Sequence, residues 1–267
     1  MSTSDTQTRP AIITEIDGHV ATIFLNRPDI QNTISGDMLD GLCQHLLEAE
    51  HNDEVRVIVL AGKGRFFCAG LDMRGSGTAE NLTSDRVTTH LDLRNTPPTV
   101  LHELDKPVIC ALGSAAGYGL DLALGCDIRI MSETAKLSAA FVARGVTPES
   151  GGTWLLPRLI GWSKAAELIF TGRVLGPDAA MSLGLVSEIV PEAELLDRAH
   201  ALAAEIAANA PLAVQASKRM MRMGMDDAFD EHVHRVFLQL LPLLRTQDFR
   251  EGMAAFMERR KPDFKGR

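Results

Sequence analysis

Two glycine-containing turns are the segments best suited to chemistry, because each follows a short apolar run. Residues 67–72 follow the run at 55–60, and residues 117–121 follow the run at 107–112. Backbone N–H groups from two such turns can bind one carbonyl oxygen on which negative charge develops as an enolate forms. Either turn alone also fits a simpler role, since glycine permits tight connections between a strand and a helix.

Two carboxylates accompany these turns. Asp121 lies in the second turn, and Glu149 lies in residues 147–152, just before a predicted helix. A carboxylate held near an acidic carbon can remove a proton and return it. Two alternatives remain open: Glu149 could stabilise a helix N-terminus, and Asp121 could be a buried carboxylate that accepts from local backbone donors.

The elements that would position these residues alternate between strand and helix. Residues 11–25 predict a hairpin around Asp17 and Gly18, and Ser35 is a candidate N-cap for the helix that follows it. Buried strands are predicted at 55–60, 107–112 and 127–131, and helices at 84–94, 98–104, and from the second turn through Leu124. Crossover connections and a largely parallel α/β core follow. The chain after Ser163 is dominated by helices, predicted at 164–170, 177–183, 192–208, 211–223, 227–241 and 247–260.

Composition excludes several classes of protein. A net charge of −8 disfavours nucleic-acid binding, which needs a basic surface. The four cysteines are widely scattered and indicate neither a disulfide framework nor a metal site. Residues 1–10 lack a secretory signal pattern, and no apolar run is long enough for a membrane span, so a cytoplasmic location without membrane partners is expected.

Ordered sequence blocks carry a family resemblance over residues 11–264. The blocks are residues 25–28, 32–35, 67–72, 106–109, 117–124, 126–129, 151–153, 156–161, 171–172, 180–186 and 251–256. Together they resemble the crotonase (enoyl-CoA hydratase/isomerase) superfamily, and so many blocks in one order make a chance match implausible.

The resemblance implies an α/β fold, a crotonase-like spiral of ββα units with a C-terminal α-helical trimerisation region. The expected organisation is a disordered tail at 1–10, a spiral core at 11–200 and a C-terminal helical region at 201–267. It also implies an acyl-CoA substrate and a homotrimer, or a hexamer built as a dimer of trimers. No cofactor is expected, since coenzyme A is part of the substrate, and no metal is expected.

The resemblance also implies roles for individual residues. The N–H groups of Leu71 and Tyr118 would form the oxyanion hole, with Gly117 as an alternative donor because the preceding segment is one residue shorter than the family pattern. Carbonyls around Ala69 and Leu71 would hold the adenine. The remaining substrate and CoA contacts are expected at Gly70, Asp72, Gly117 and Phe141, with Arg27 and Arg259 near the CoA phosphates.

The sequence constrains the chemical reaction less than it constrains the fold. Asp121 occupies the first acid position of the family's hydratases, but Phe141 occupies the second, 20 residues later, and cannot transfer a proton. Glu149 resembles the single catalytic glutamate of Δ3,Δ2-enoyl-CoA isomerases, so it is the predicted base and Asp121 a predicted catalytic partner. Alternatives are a hydratase, a hydrolase or dehalogenase, and a non-catalytic acyl-CoA-binding protein. The acyl chain is not predicted.

Overall fold

The computed structural model describes residues 9–72 and 96–267. The helix predicted at 84–94 lies outside these residues, as does most of the tail predicted to be disordered.

A six-stranded sheet forms the centre of the fold. Its strands are β1 (Ile12–Asp17), β2 (Val20–Leu25), β3 (Val57–Gly62), β5 (Val108–Leu112), β7 (Ile128–Ser132) and β10 (Glu188–Val190), in the order β1-β2-β3-β5-β7-β10. Only β1 runs antiparallel to its neighbour. The β1–β2 hairpin turns at Gly18, where φ is +53°. The prediction of a mainly parallel core is confirmed.

A second sheet lies beside the first and is built from very short strands. It contains β4 (Phe66–Cys68), β6 (Ser114–Ala116), β8 (Leu137–Ser138) and β9 (Val174–Leu175), in the order β4-β6-β8-β9. The parallel pairing of β4 with β6 places their carboxyl ends together. Neither β4 nor β6 was predicted as a strand, because three residues are too few to show an alternating pattern.

Ten α-helices occur in the described part of the chain, besides three short 3-10 helices. They are α1 (Gly36–His51), α2 (Pro97–Glu103), α3 (Tyr118–Leu124), α4 (Gly152–Ile160), α5 (Trp162–Thr171), α6 (Pro177–Ser182), α7 (Leu195–Ala207), α8 (Pro211–Met223), α9 (Phe229–Leu243) and α10 (Gln247–Glu258). The predicted helices within these residues are present with small shifts at their ends. None of the helices described is both long and apolar enough to span a bilayer.

The helix α7 packs on the central sheet. Its Ala199, Ala203 and Ala207 are buried at a four-residue spacing against Val57 and Val59 of β3. Small side chains on one helical face allow this close approach. The domain boundary predicted between residues 200 and 201 therefore falls inside a helix that belongs with the core, and the division itself stays a prediction.

Gly119 of α3 lies against the end of β4. A Cβ atom built on it would stand 2.1 Å from the Cys68 carbonyl oxygen and 2.7 Å from the Cys68 Cβ. Both groups belong to Cys68, which pairs with Ala115 of β6. Only glycine therefore lets α3 approach the first turn this closely.

We expect Gly119→Ala to lower the free energy of unfolding by about 1–3 kcal/mol or more, because the added methyl group overlaps backbone atoms. Urea unfolding measures the change. Gly41→Ala in α1 is the matched control: its Cβ would meet only Ile12 Cγ1, at 3.7 Å, and alanine favours a helix. Equal stability of the two variants would contradict the proposed close contact.

Candidate functional site

The first turn is fixed by pairing with residues 31–34. Ile34 donates its N–H to the Gly70 carbonyl at 2.9 Å, and Asp72 donates to the Ile34 carbonyl at 2.8 Å. Ala69 donates to the Gln31 carbonyl at 3.0 Å. In this parallel bridge between Ile34 and Leu71, the N–H of Leu71 faces away from residue 34. Three backbone hydrogen bonds therefore hold the turn, and the N–H of Leu71 stays available to a ligand.

The side chains of Arg27 and Asn32 stabilise the first turn through further hydrogen bonds. The Arg27 guanidinium lies 3.1 Å from the Asp72 carboxylate and donates to the Thr33 carbonyl at 3.0 Å. The fully buried Asn32 accepts from the Arg27 amide and donates to the Phe66 carbonyl. Arg27 and Asp72 are thus engaged with each other, and their contacts to CoA stay predictions.

Asn32 was not among the residues predicted for the site. Its main partner is the carbonyl of Phe66, 34 positions later in the chain. The sequence carried one signal, the block at 32–35, but a lone buried amide gives no indication of where its partner lies. Only the tertiary structure identifies Asn32 as a support for the first turn.

The second turn supplies the next free amide. Gly117 has φ of +53° and donates its N–H to the Ser138 carbonyl at 3.0 Å, so the alternative donor is already occupied. Tyr118 is the first residue of α3, where backbone N–H groups have no helical acceptor. Within residues 9–72 and 96–267, neither Tyr118 N–H nor Leu71 N–H has a protein acceptor.

The two turns lie side by side. A Cβ atom built on Gly70 would stand 3.1 Å from the Ala116 carbonyl oxygen and 3.9 Å from the Tyr118 nitrogen. The backbone of Gly70, next to the Leu71 amide, therefore lies close to the backbone of Ala116 and Tyr118. The first residue of α3 also carries the positive end of the short helix.

Asp121 is fully buried one helical turn after Tyr118. Its Oδ2 accepts from the backbone N–H groups of Ser150 and Gly152, at 3.3 and 3.2 Å. Its Oδ1 meets no hydrogen-bond partner among the residues described. Burial raises the pKa of Asp121 to about 7; the Gly152 amide opposes this shift, and the negative charge of Glu149 adds to it.

Glu149 precedes these two amides and has an exposed side chain. Its negative charge adds to the raised pKa of both Asp121 and Tyr118, and its neighbour Ser150 donates to Asp121 at 3.3 Å. A Cβ atom on Gly152 would lie 2.2 Å from Asp121 Oδ1, so only glycine fits there. The local helix start therefore presents Glu149 beside a buried acid.

Phe141 and Arg259, two further residues predicted to contact the substrate, differ in their surroundings. Phe141 is buried, with 5% of its surface exposed, three residues after the Ser138 that binds Gly117. Arg259 follows the last residue of α10 with φ of +54°, and its N–H donates to the Ala255 and Phe256 carbonyls of that helix. No hydrogen bond in the described chain joins Arg259 to either turn. Among the same residues, no cluster of His, Cys, Asp or Glu is arranged to hold a metal ion.

Comparison with known proteins agrees with this architecture. The family model described as enoyl-CoA hydratase/isomerase matches residues 15–267. The short-chain-enoyl-CoA hydratase of Clostridium acetobutylicum is 35% identical over 266 residues, which cover 96% of this chain and 98% of that protein. The 1,2-epoxyphenylacetyl-CoA isomerase of Escherichia coli is 35% identical with the same coverage of both chains.

A solved structure shares the fold. The enoyl-CoA hydratase of Bacillus anthracis superposes with a TM-score of 0.88 at 33% identity, covering 97% of this chain and all of that one. The chain belongs to the enoyl-CoA hydratase/isomerase family and is an enzyme of that family. The crotonase-like fold predicted from the sequence blocks is confirmed.

The raised pKa of Asp121 predicts a pH-dependent stability. Between about pH 4, the usual carboxyl range, and pH 7, the unfolded chain is ionised while folded Asp121 keeps its proton. The folded state then binds more protons, so the free energy of unfolding falls as pH rises through this window and levels off above it. The full effect is on the order of 4 kcal/mol at most.

Asp121→Asn removes this titration while preserving an oxygen for the two amides. We expect the stability of the native protein relative to the variant to decline from pH 4 to pH 7 in urea unfolding at fixed protein concentration. A stability difference that stays constant from pH 4 to pH 8 would show that the folded carboxyl titrates normally.

Proposed function

We propose that this enzyme shifts the double bond of an enoyl-CoA from the 3,4 to the 2,3 position, with Glu149 as the proton-transferring base. The observation that carries the proposal is the position of Glu149: it lies on the exposed segment whose Ser150 and Gly152 amides bind the buried Asp121. Phe141 stands where the family's hydratases have their second acid.

Two free amides support the proposed oxyanion hole. Leu71 and Tyr118 have N–H groups with no acceptor in the described chain, on turns that touch. Preorganised donors of this kind stabilise an oxygen that gains negative charge without reorganising during the reaction. In the proposed complex both bind the thioester oxygen, and the start of α3 adds a favourable dipole.

A single base is sufficient for the proposed reaction. The Glu149 carboxylate removes a proton from the α-carbon of a 3-enoyl thioester, and the electron pair moves into a dienolate whose oxygen accepts from the two amides. The Glu149 carboxylic acid then returns the proton to the γ-carbon. The carboxylate is regenerated, the double bond lies at the 2,3 position, and no water is consumed.

Asp121 is proposed to support this base. It binds two amides of the turn that carries Glu149, and burial favours its protonated form up to about pH 7. A neutral partner lets the Glu149 carboxylate form without placing two negative charges together. This role explains why a carboxyl group is kept in a site where its charge is poorly solvated.

Hydration of a 2-enoyl-CoA is the second candidate reaction. It is favoured by the same closeness of Asp121 and Glu149, since two carboxyl groups can share and activate one water. The similarity to relatives does not choose between the reactions, because a hydratase and an isomerase match this chain with the same 35% identity.

The assembly and substrate handling expected of the family remain proposals here. Apolar side chains stay exposed on α9 and α10, among them Phe229, Phe237 and Phe256. They support the proposed trimer, or hexamer of two trimers. Ala69, Gly70 and Asp72 would contact the CoA moiety with Arg27 and Arg259, in a cytoplasmic enzyme that uses no other cofactor.

Separate incubations with 3-enoyl-CoA and 2-enoyl-CoA test the reaction. We expect migration of the double bond without 3-hydroxyacyl product, followed by mass spectrometry and by absorbance of the conjugated thioester. Rapid addition of water to 2-enoyl-CoA would reject the isomerase and select the hydratase.

Substitution of the base provides an independent check. We expect Glu149→Gln to reduce turnover by about 10²- to 10⁴-fold, the usual contribution of a general acid–base group, with little change in acyl-CoA affinity. Glu194→Gln, at another exposed glutamate, is the matched control and should retain full turnover. Unchanged turnover in Glu149→Gln would remove Glu149 from the mechanism, and no turnover by the native protein would indicate a binding protein.

A further inference from the structure

A large groove lies at the opposite end of α3 from the Tyr118 amide. Its volume is about 910 Å³, and residues of α2, α3, α4 and α8 form its walls. Leu124 and Gly125, at the carboxyl end of α3, line it, whereas Leu71, Tyr118 and Glu149 do not. Cavities of this size commonly hold small organic ligands. We call this cavity the α3–α8 groove.

The walls of the α3–α8 groove are mainly apolar. The helix α4 contributes Trp154, Leu155 and Leu159, and α8 contributes Val214 and Met221. Met221 leaves 75% of its surface exposed although it belongs to this apolar lining. These walls suit a flexible hydrocarbon chain, because aliphatic side chains favour the removal of apolar surface from water and methionine adapts its shape to a ligand.

The charged side chains of the groove are mainly cationic, although the whole chain has a net charge of −8. Arg129, Lys218 and Arg222 line it, and Asp127 is the one carboxylate among the described lining residues. Lys218 pairs with Asp127 at 2.7 Å, and Arg222 pairs with Asp105 at 3.3 Å. No ion pair of the described chain includes Arg129, so its positive charge is available to an anion in the groove.

Arg129 also has hydrogen-bond donors left for a ligand. The residue is 7% exposed, its Nε donates to the Leu185 carbonyl at 2.6 Å, and its Nη1 donates to the carbonyls of Ala123, Leu124 and Cys126. Its Nη2 makes no hydrogen bond with the described chain and retains accessible surface. A guanidinium that is already largely removed from water and has no anionic partner is well suited to bind a carboxylate.

We propose that the α3–α8 groove binds a free carboxylic acid with an apolar chain, whose carboxylate accepts from Arg129 Nη2 while the chain packs between α4 and α8. The inference goes beyond the proposed function, since it needs neither a thioester nor a coenzyme A moiety. The bound acid would contact both α3, which carries Asp121, and α4, whose Gly152 amide binds Asp121. A second copy of the chain is the competing occupant, and it would exclude the acid from the assembled protein.

Calorimetric titration of the assembled protein tests the requirement for a carboxylate. Decanoate, decan-1-ol and decylamine share one chain and differ in their head groups. We expect decanoate to bind about tenfold or more tightly than either of the others, the usual strength of a hydrogen bond to a charged group. Arg129→Met, which replaces the guanidinium by an apolar side chain of similar length, should lose this preference and still bind the alcohol.

The outcomes of the titration are separate from those of the proposed reaction. Equal affinities of the native protein for the three probes would overturn the role of Arg129. Failure of decanoate to bind would overturn the site and indicate that a second copy covers the groove. Both comparisons use the native protein, so they remain decisive even if Arg129→Met does not fold, and neither depends on whether the double bond moves.

Tryptophan fluorescence locates the bound acid. The chain has two tryptophans: Trp154 lines the groove, whereas Trp162 is 76% exposed on α5 and lines a different cavity. We expect 10-bromodecanoate, whose bromine quenches an indole on contact, to quench Trp162→Phe saturably and Trp154→Phe much less. Unbrominated decanoate is the control and should compete with the quencher. Quenching confined to Trp154→Phe would place the acid on α5 and contradict the proposal.

Discussion

The close contact between the end of β4 and the start of α3 is the constraint on which the site depends. Gly119 approaches the Cys68 carbonyl so tightly that no side chain fits between them, and Gly70 likewise lies close to the Ala116 carbonyl and the Tyr118 nitrogen. Because β4 and β6 are adjacent and parallel, the turns that follow them emerge at one edge. Two amides distant in sequence become neighbours, with no need for a mobile segment to bring them together.

A second constraint is electrostatic. Asp121 lies in the interior, where a carboxylate is poorly solvated, and it faces two amides from the segment that carries Glu149. The amides favour the charged form, whereas burial and Glu149 favour the neutral form, and burial is the largest of these effects. Below about pH 7 the buried Asp121 therefore keeps its proton, next to a segment that exposes Glu149 to solvent. The stability lost to Asp121 is a cost that functional sites often carry.

Several elements were predictable because their pattern is local. The β1–β2 hairpin followed from the turn-forming pair Asp17 and Gly18, and α8 was predicted with its observed ends from Pro211 to Met223. The short strands β4 and β6 were not, since their residues acquire a strand geometry only through pairing with each other. The same limit applies to the site. Asp121 and Glu149 could be selected as acids from the sequence, but the binding of Asp121 to the Ser150 and Gly152 amides could not.

The sequence by itself determined the composition of the core, most helices, the family resemblance and the residue types available for acid–base chemistry. Periodicity and ordered motifs carry this information because they depend on neighbours along the chain. Within the described residues, the tertiary structure alone decided that the Leu71 and Tyr118 amides lack acceptors and lie on neighbouring turns, that Gly117 is bound to Ser138, and that the Tyr118 hydroxyl is buried without a partner. Hydrogen-bond satisfaction is a property of space rather than of sequence order, so it appears only when segments far apart in the chain are packed together.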